Sequence, residues 1–203
     1  IFLRGFDADH GTDVAIDVDG IPVNMVSHGH GQGYADLHFM IADVIERVDV
    51  NKGPYFPEYG NFATAGAVSF HTRDHLARNE IRLSGGSFNA TDYTMLYQLP
   101  MADPGQTAYF AGNYYYSDGP FDSPQEFQRF NVFSKVHTHI SERSTLTLDL
   151  SAFSSAWDAS GQLPQRAVTS GAIGRWGAID DLEGGTTGRR NLNLTFRSIG
   201  RNN

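Results

Sequence analysis

Cysteine is absent from the 203 residues, which excludes a disulfide framework, a thiolate metal site and a cysteine nucleophile. Basic residues are scarce: 15 Lys+Arg stand against 23 Asp+Glu, for a formal net charge of -8. Neutralising a nucleic-acid backbone needs clustered Lys and Arg, so nucleic acid is excluded as the main partner. No apolar run exceeds four residues, as at Phe39 to Ala42, far short of a membrane-spanning helix of about 20. Membrane-spanning β-strands stay open, because each needs only about 10 alternating residues. No basic segment followed by an apolar stretch and a cleavage site opens the chain at Ile1, and the alternation of Leu192, Leu194 and Phe196 runs close to Asn203. The chain is therefore expected to be an internal piece of something longer. What is present, 40% hydrophobic and 12% aromatic residues, suffices for a packed core and argues against intrinsic disorder.

Composition changes near Arg73 to Asn79. Before it, Gly, Asp and His are frequent, Val14 to Val18 reads as a strand, and a short helix is expected around His38 to Val44, with turns at Asp19-Gly20, Gly53-Pro54 and Tyr59-Gly60. This half reads as a compact α+β unit. After it, the pattern has period two. Ile81 and Leu83 alternate with Glu80, Arg82 and Ser84; Tyr93, Met95, Tyr97 and Leu99 with Asp92, Thr94, Leu96 and Gln98; Leu146, Leu148 and Leu150 with Thr145, Thr147 and Asp149. Phe130, Val132 and Val136 share one face, with Asn131, Lys135 and His137 opposite, whereas Thr107 to Ser117 is aromatic on both faces and its sides are not assignable. Short links at 101–106 and 141–143 alternate with longer ones at 118–127 and 154–188. An outer-membrane barrel has this asymmetry, but a soluble β-sandwich gives a similar alternation and is the commoner case on periodicity alone.

Ile45-Glu46-Arg47-Val48-Asp49-Val50-Asn51-Lys52-Gly53-Pro54, then Tyr59-Gly60, then Gly66-Ala67-Val68 separates the two. This run resembles the plug domain of TonB-dependent outer-membrane receptors, whose signature reads I-E-R-[IV]-[ED]-V-x-x-G-P, Y-G, G-[AG]-V. Upstream, Leu3-Arg4-Gly5-Phe6 resembles the plug's Arg-Gly strand, and Val18-Asp19-Gly20-Ile21-Pro22 its V-D-G-[IV]-P turn. Phe70-His71-Thr72 departs from the family's apolar strand, and no TonB box precedes Ile1. The resemblance implies an α+β plug domain over 1–75, followed over 76–203 by antiparallel transmembrane β-barrel strands, about six, a partial barrel. A barrel wide enough for a nutrient complex has about 22 strands, and a plug would close its lumen.

What the resemblance implies about function follows. The chain is expected to belong to a receptor in the bacterial outer membrane, surrounded by lipid, that imports a scarce nutrient by coupling to the TonB energy-transducing complex. The usual cargo is a ferric siderophore or other metal chelate. No enzyme activity, cofactor or resident metal is expected. The plug loop after Asp19-Gly20 corresponds to one that contacts substrate, which makes His28, His30, Gln32 and Tyr34, with Asp9 and His10, candidate contacts, along with Trp157, Arg175 and Trp176 at the mouth. Glycines around His28 and His30 free both imidazoles to project, and imidazole suits borderline metals, although Gly-His repeats are equally ordinary loop composition. Glu46 and Arg47, placed on opposite faces by alternation, are expected to form structural ion pairs rather than a catalytic pair. Arg4, Gly5, Asp19, Gly20, Gly53, Pro54, Tyr59, Gly60 and Gly66 carry the structural motif.

Two other readings stay open. A soluble β-rich binding module would bury the Leu146, Leu148 and Leu150 face against a second sheet. A metal-dependent hydrolase would need His10, His28 and His30 to converge with a carboxylate.

Overall fold

A computed structural model describes residues 2–3, 5–7, 12–28 and 31–200, and the chain divides into two compact units, Ile1–Arg73 and Asp74–Asn203. In the first unit a short ribbon, β1 (Phe2–Leu3) with β2 (Phe6–Asp7), precedes β3 (Val14–Val18) and β4 (Ile21–Pro22). The hairpin β5 (Met25–His28) and β6 (Gly31–Tyr34) follows, then β7 (Ile45–Lys52) and β8 (Gly66–Thr72). The main sheet has the order β4-β3-β8-β7, with β3 and β8 parallel at its centre and the outer pairs antiparallel.

Alternation in β3 sends Val14, Ile16 and Val18 to one buried face, 0%, 3% and 6% exposed, which Val68 of β8 shares; Val23, Phe39, Ile41 and Val44 are buried as well, and Ala67 is buried on the opposite face of the sheet. Asp19 and Gly20 both have positive φ, 51° and 81°, as a two-residue hairpin turn between β3 and β4 requires. Because β4 is so short, Asn24 continues the ladder with its side chain. Its Oδ1 accepts from the Ile16 N–H at 2.6 Å, and its Nδ2 donates to the Val14 carbonyl at 2.9 Å. Asp19 ties the turn to the far end of β8, its carboxylate accepting from the Thr72 N–H at 3.0 Å and from Thr72 Oγ1 at 2.5 Å.

The expected helix at His38 to Val44 is not formed. A turn at His38–Phe39 precedes a single 3₁₀ turn, Ala42–Val44, whose preceding Ile41 is extended and supplies no capping oxygen. In β7 the register slips between Ile45 and Arg47, so simple alternation fails at Glu46. Arg47 Nη2 pairs with Asp49 Oδ2 at 3.0 Å in its own strand, and His71 Nε2 reaches the same oxygen at 3.0 Å. The polar Phe70-His71-Thr72 departure is thus absorbed by Asp49 and Asp19.

The second unit is an antiparallel meander of six strands in chain order: β9 (Glu80–Gly85), β10 (Thr91–Leu99), β11 (Gln106–Ser117), β12 (Phe127–Ser141), β13 (Ser144–Asp158) and β14 (Gly184–Ser198). The barrel is not closed. Register assigns the faces of β11: Phe110, Gly112 and Tyr114 align with Tyr97, Met95 and Tyr93, while Tyr109, Ala111 and Asn113 align with Gln98, Leu96 and Thr94. The sheet is inside out relative to a soluble one. Leu192 and Leu194 are 72% and 61% exposed, and Ile81, Leu83 and Leu150 share their face, whereas Asn131, Asp149 and Lys135 on the other are buried. A sandwich would bury the leucines against a second sheet, so the soluble-sandwich reading fails here. The polar face carries its own charge compensation: Lys135 Nζ lies 3.2 Å from Asp74 and 3.9 Å from Asp149.

The ladder between β13 and β14 runs on to Asp158↔Gly184, so the connection is 159–183 rather than 154–188. It contains one short helix, α1 (Gln165–Thr169). Ser154, Ser155, Thr186 and Thr187 are strand residues although their segment shows no apolar alternation, because backbone pairing alone extends the sheet there.

Candidate functional site

In the first unit one candidate, Tyr34 at the end of the β5–β6 hairpin, joins a polar cluster with two residues that follow it. Asp36 Oδ1 accepts from the His38 N–H at 2.8 Å and meets His38 Nδ1 at 2.6 Å, while the Tyr34 hydroxyl donates to the same carboxylate. Burial first, and then the Asp36 charge and hydrogen bond, raise the Tyr34 phenol above its ordinary value. Tyr34, Asp36 and His38 therefore form one polar cluster. Asp9, His10 and His30 lie outside the described residues, as do the side chains of His28 and Gln32, although the backbone of His28 pairs with Gly31 across the hairpin. Convergence of His10, His28 and His30, on which the hydrolase reading depends, likewise falls outside the described residues.

In the second unit the hairpin at 86–90, the link at 118–126 and the loop at 159–183 share one end of the sheet, and the short links at 100–105 and 142–143 share the other. The long-loop end is stitched together by hydrogen bonds from Asp118 N to the Phe88 carbonyl at 2.9 Å, Asp122 N to the Trp176 carbonyl at 2.9 Å, and Asp158 N to the Gln125 carbonyl at 2.7 Å. Trp176, 47% exposed, packs edge-on to Phe121 with ring centroids 5.8 Å apart, and the Arg175 guanidinium lies 5.7 Å from the Trp176 ring centroid. This exposed aromatic pair with a cation over it can grip a flat, electron-rich or anionic group. Trp157 stands apart in β13, on the polar face, with its indole against Gly185, where an added Cβ would come within 2.9 Å of it.

Residues 1–67 match the family described as TonB-dependent Receptor Plug Domain. The first unit is a TonB-dependent receptor plug domain. Solved structures similar to the whole chain include the ferric citrate transporter FecA in unliganded form, with a TM-score of 0.76 at 18% identity over 98% of this chain and 30% of that one. The ferric-catecholate import receptor Fiu of E. coli K12 gives 0.68 at 18%, over 100% and 31%. The siderophore receptor PirA of Acinetobacter baumannii gives 0.64 at 18%, over 91% and 30%. The chain spans about 30% of the length of these structures. At such identity they establish the fold: a plug followed by antiparallel strands of a receptor barrel.

Within the plug, Gly53, Gly60 and Gly66 have φ of 89°, 61° and 146°. Gly66 is the tightest: a Cβ there would lie 2.2 Å from the Asn51 carbonyl oxygen and 2.9 Å from Leu3 Cδ2, so the Arg-Gly segment and the G-A-V strand meet at a position with room for hydrogen only. Tyr59 closes the segment between β7 and β8 by accepting from Asn51 Nδ2 at 2.6 Å. Gly5, also at positive φ, lies between β1 and β2, and Arg4 is outside the described residues. Pro54 follows Gly53 in an exposed bend, and Glu46 is exposed beside the register slip.

Sequence reasoning missed Phe121, the ring partner of Trp176, and the polar cluster Asp92, Asn113 and Arg129 on the wall. The signal for the second was available: Thr107 and Asn113 share parity, which marks one side of the otherwise aromatic β11 as polar. The aromatics also divide, with Tyr93, Tyr97, Tyr114 and Tyr116 on the apolar face and Tyr115 and Trp157 on the polar one. Tyr93 and Tyr114 stack at 6.2 Å.

Proposed function

We propose that the chain is part of a TonB-dependent outer-membrane receptor that imports a metal chelate, most specifically a ferric siderophore or a related ferric complex. The observation that carries this is a plug domain followed in the chain by a sheet whose apolar side is exposed and whose polar side is buried. Water-filled barrels in lipid require that polarity, and a soluble sheet reverses it. The imports named for similar structures, ferric citrate and ferric catecholate, are chelates of this kind. Such a receptor holds its cargo and moves it without making or breaking covalent bonds, so no catalytic residue is assigned. Energy would come from the TonB complex, and the barrel would sit in outer-membrane lipid.

Cargo contacts are assigned to two surfaces. One is the β5–β6 hairpin, with His28, His30, Gln32 and Tyr34, to which Asp9 and His10 are added from the sequence alone. The other is the long-loop end, with Arg175 and Trp176, and Trp157 below it. The test is uptake of radioactive iron by cells carrying or lacking the receptor gene, offered a panel of ferric chelates, with and without functional TonB. Receptor- and TonB-dependent uptake of at least one chelate is expected. Equal uptake in all strains for every chelate, metal complexes other than iron included, contradicts the reading. Titration of the full-length receptor carrying His28→Ala and His30→Ala against the transported chelate tests the hairpin; unchanged affinity removes it from the contact set.

A further inference from the structure

At the short-link end of the second unit the polar face carries two histidines one residue apart. His137 and His139 of β12 follow Asn131 and Lys135 on that face, since alternate residues of a strand point the same way. Their imidazole centroids lie 5.5 Å apart with the ring planes at 89°. His139 stands where the regular register of β12 ends, and its N–H donates to the Gly105 carbonyl at 3.0 Å. The Asp103 carboxylate borders the same spot: a Cβ added at Gly105 would lie 3.3 Å from Asp103 Oδ1 and 3.6 Å from His139 Cβ.

Hydrogen bonding leaves three ring nitrogens unengaged. His137 Nδ1 and Thr147 Oγ1, paired across the β12–β13 ladder, are 2.8 Å apart. Among the described residues neither Nε2 of His137 nor either ring nitrogen of His139 has a hydrogen-bond or ion-pair partner. With Nδ1–H donating to the Thr147 hydroxyl, Nε2 of His137 keeps its lone pair and the ring is held in one orientation, the arrangement of a metal-ligating histidine. Two imidazoles on one tetrahedral zinc, with Zn–N of about 2.0–2.1 Å, place their centroids roughly 5 Å apart, so a small turn of the exposed His139 ring closes the pair on a shared ion. No third His, Asp or Glu among the described residues completes the ligand set, so water fills the other positions and the ion stays exchangeable.

We propose that His137 and His139 together bind a borderline divalent cation, zinc or its neighbours copper and nickel, through Nε2 of His137 and one ring nitrogen of His139, with Thr147 orienting the first ring. Neutral imidazole suits these ions, and the Asp103 carboxylate adds favourable charge beside them. The site stands at the opposite end of the sheet from Arg175 and Trp176 and shares no residue with either proposed cargo surface. It does not depend on the import reading.

The test follows single histidines in the full-length receptor in detergent micelles. Diethyl pyrocarbonate acylates unprotonated imidazole nitrogens, and a bound metal blocks the reaction. Trypsin isolates both rings in the peptide 136–143, and His75 alone in the peptide 74–78 as a control. Modification rates are read by mass spectrometry against added Zn²⁺ for wild type, His139→Gln and Thr147→Val. In the wild type Zn²⁺ should slow His137 and His139 together, with one midpoint, at concentrations that leave His75 at its metal-free rate. His139→Gln should leave His137 unprotected over that range. Thr147→Val should raise the midpoint by roughly ten- to a hundredfold, the usual effect of removing the partner of a ligating imidazole. Equal rates with and without Zn²⁺ in the wild type, a measurement that requires no variant to fold, overturn the proposal. So do separate midpoints for the two rings, protection of His75 at the same concentrations, a His137 still shielded in His139→Gln, or rings that fail to react in metal-free protein and are therefore closed to solvent. An unchanged midpoint in Thr147→Val overturns the orienting role of Thr147.

Discussion

Replacing Gly66 by alanine tests the plug's architecture at its tightest point. The added carbon would lie 2.2 Å from the Asn51 carbonyl oxygen, about 1 Å inside ordinary contact, and 2.9 Å from Leu3 Cδ2. Leu3 can turn away, but Asn51 is backbone in β7 and can withdraw only by opening the ladder around Asn51↔Ala67 and Lys52↔Gly66. Alanine at φ of 146° adds backbone strain of about 1–3 kcal/mol. Loss of one or two ladder hydrogen bonds adds about 0.5–1.5 kcal/mol each. The total, roughly 2–5 kcal/mol, is a large share of the 5–15 kcal/mol typical of a domain. Amide hydrogen exchange in the full-length receptor reads it locally. Protection in β3, β7 and β8 should fall by about 30-fold or more, while the β12–β13 ladder keeps its wild-type rates. Protection of β7 and β8 unchanged within threefold would refute the close-approach reasoning.

Other perturbations follow from the same geometry. Asn24→Ala strips partners from the Ile16 N–H and the Val14 carbonyl beside the core and should cost the plug about 2–4 kcal/mol, measured by denaturant titration; a loss below 0.5 kcal/mol would mean that water replaces the amide. Leu192→Arg places a charge on the apolar face of β14 and should destabilise folding into bilayers by about 2–4 kcal/mol if the site is near the midplane, with equal stability to wild type as the contrary result. The raised phenol of Tyr34 gives a sign for pH. Its folded value lies above the unfolded one of about 10, so its contribution is full below that pH and is lost as pH rises through the folded value. Plug stability should therefore drop on the alkaline side of pH 10, and Tyr34→Phe should flatten that drop; identical slopes would contradict the Asp36 contact.

Legibility of the fold followed the strength of local pattern. β13 is readable because Leu146, Leu148 and Leu150 alternate strictly with Thr145, Thr147 and Asp149, and the structure keeps them on opposite faces. The plug was readable through its resemblance to the family signature, and several signature residues meet demands of the backbone: Asp19-Gly20 two positive φ values, and Gly66 the close approach of a carbonyl. β11 was not, because aromatics suit both faces of a strand and only its register with β10 and β12 separates them. The outer ends of β13 and β14 were read as loop because Ser154, Thr186 and Gly188 carry no apolar signal, yet backbone pairing continues through them. The helix at His38 to Val44 failed for want of a cap and of length. In the candidate site, Trp176 and Arg175 were legible as exposed loop residues, but Phe121 comes from a different connection and only tertiary structure joins them. The Asp92, Asn113 and Arg129 cluster was hidden for a similar reason, since its members come from three different strands.

The central claim is that the alternating strands present their apolar side to lipid and their polar side to water. Nitroxide labels placed singly at Leu194 and Asn193 of β14, in the full-length receptor embedded in outer-membrane vesicles, test it by collision with apolar oxygen and a polar nickel chelate. The account predicts that Leu194 is relaxed by oxygen and shielded from nickel, and that Asn193 does not share that lipid-like profile. Leu194 sheltered from oxygen, with Asn193 giving the lipid-like response, would contradict it.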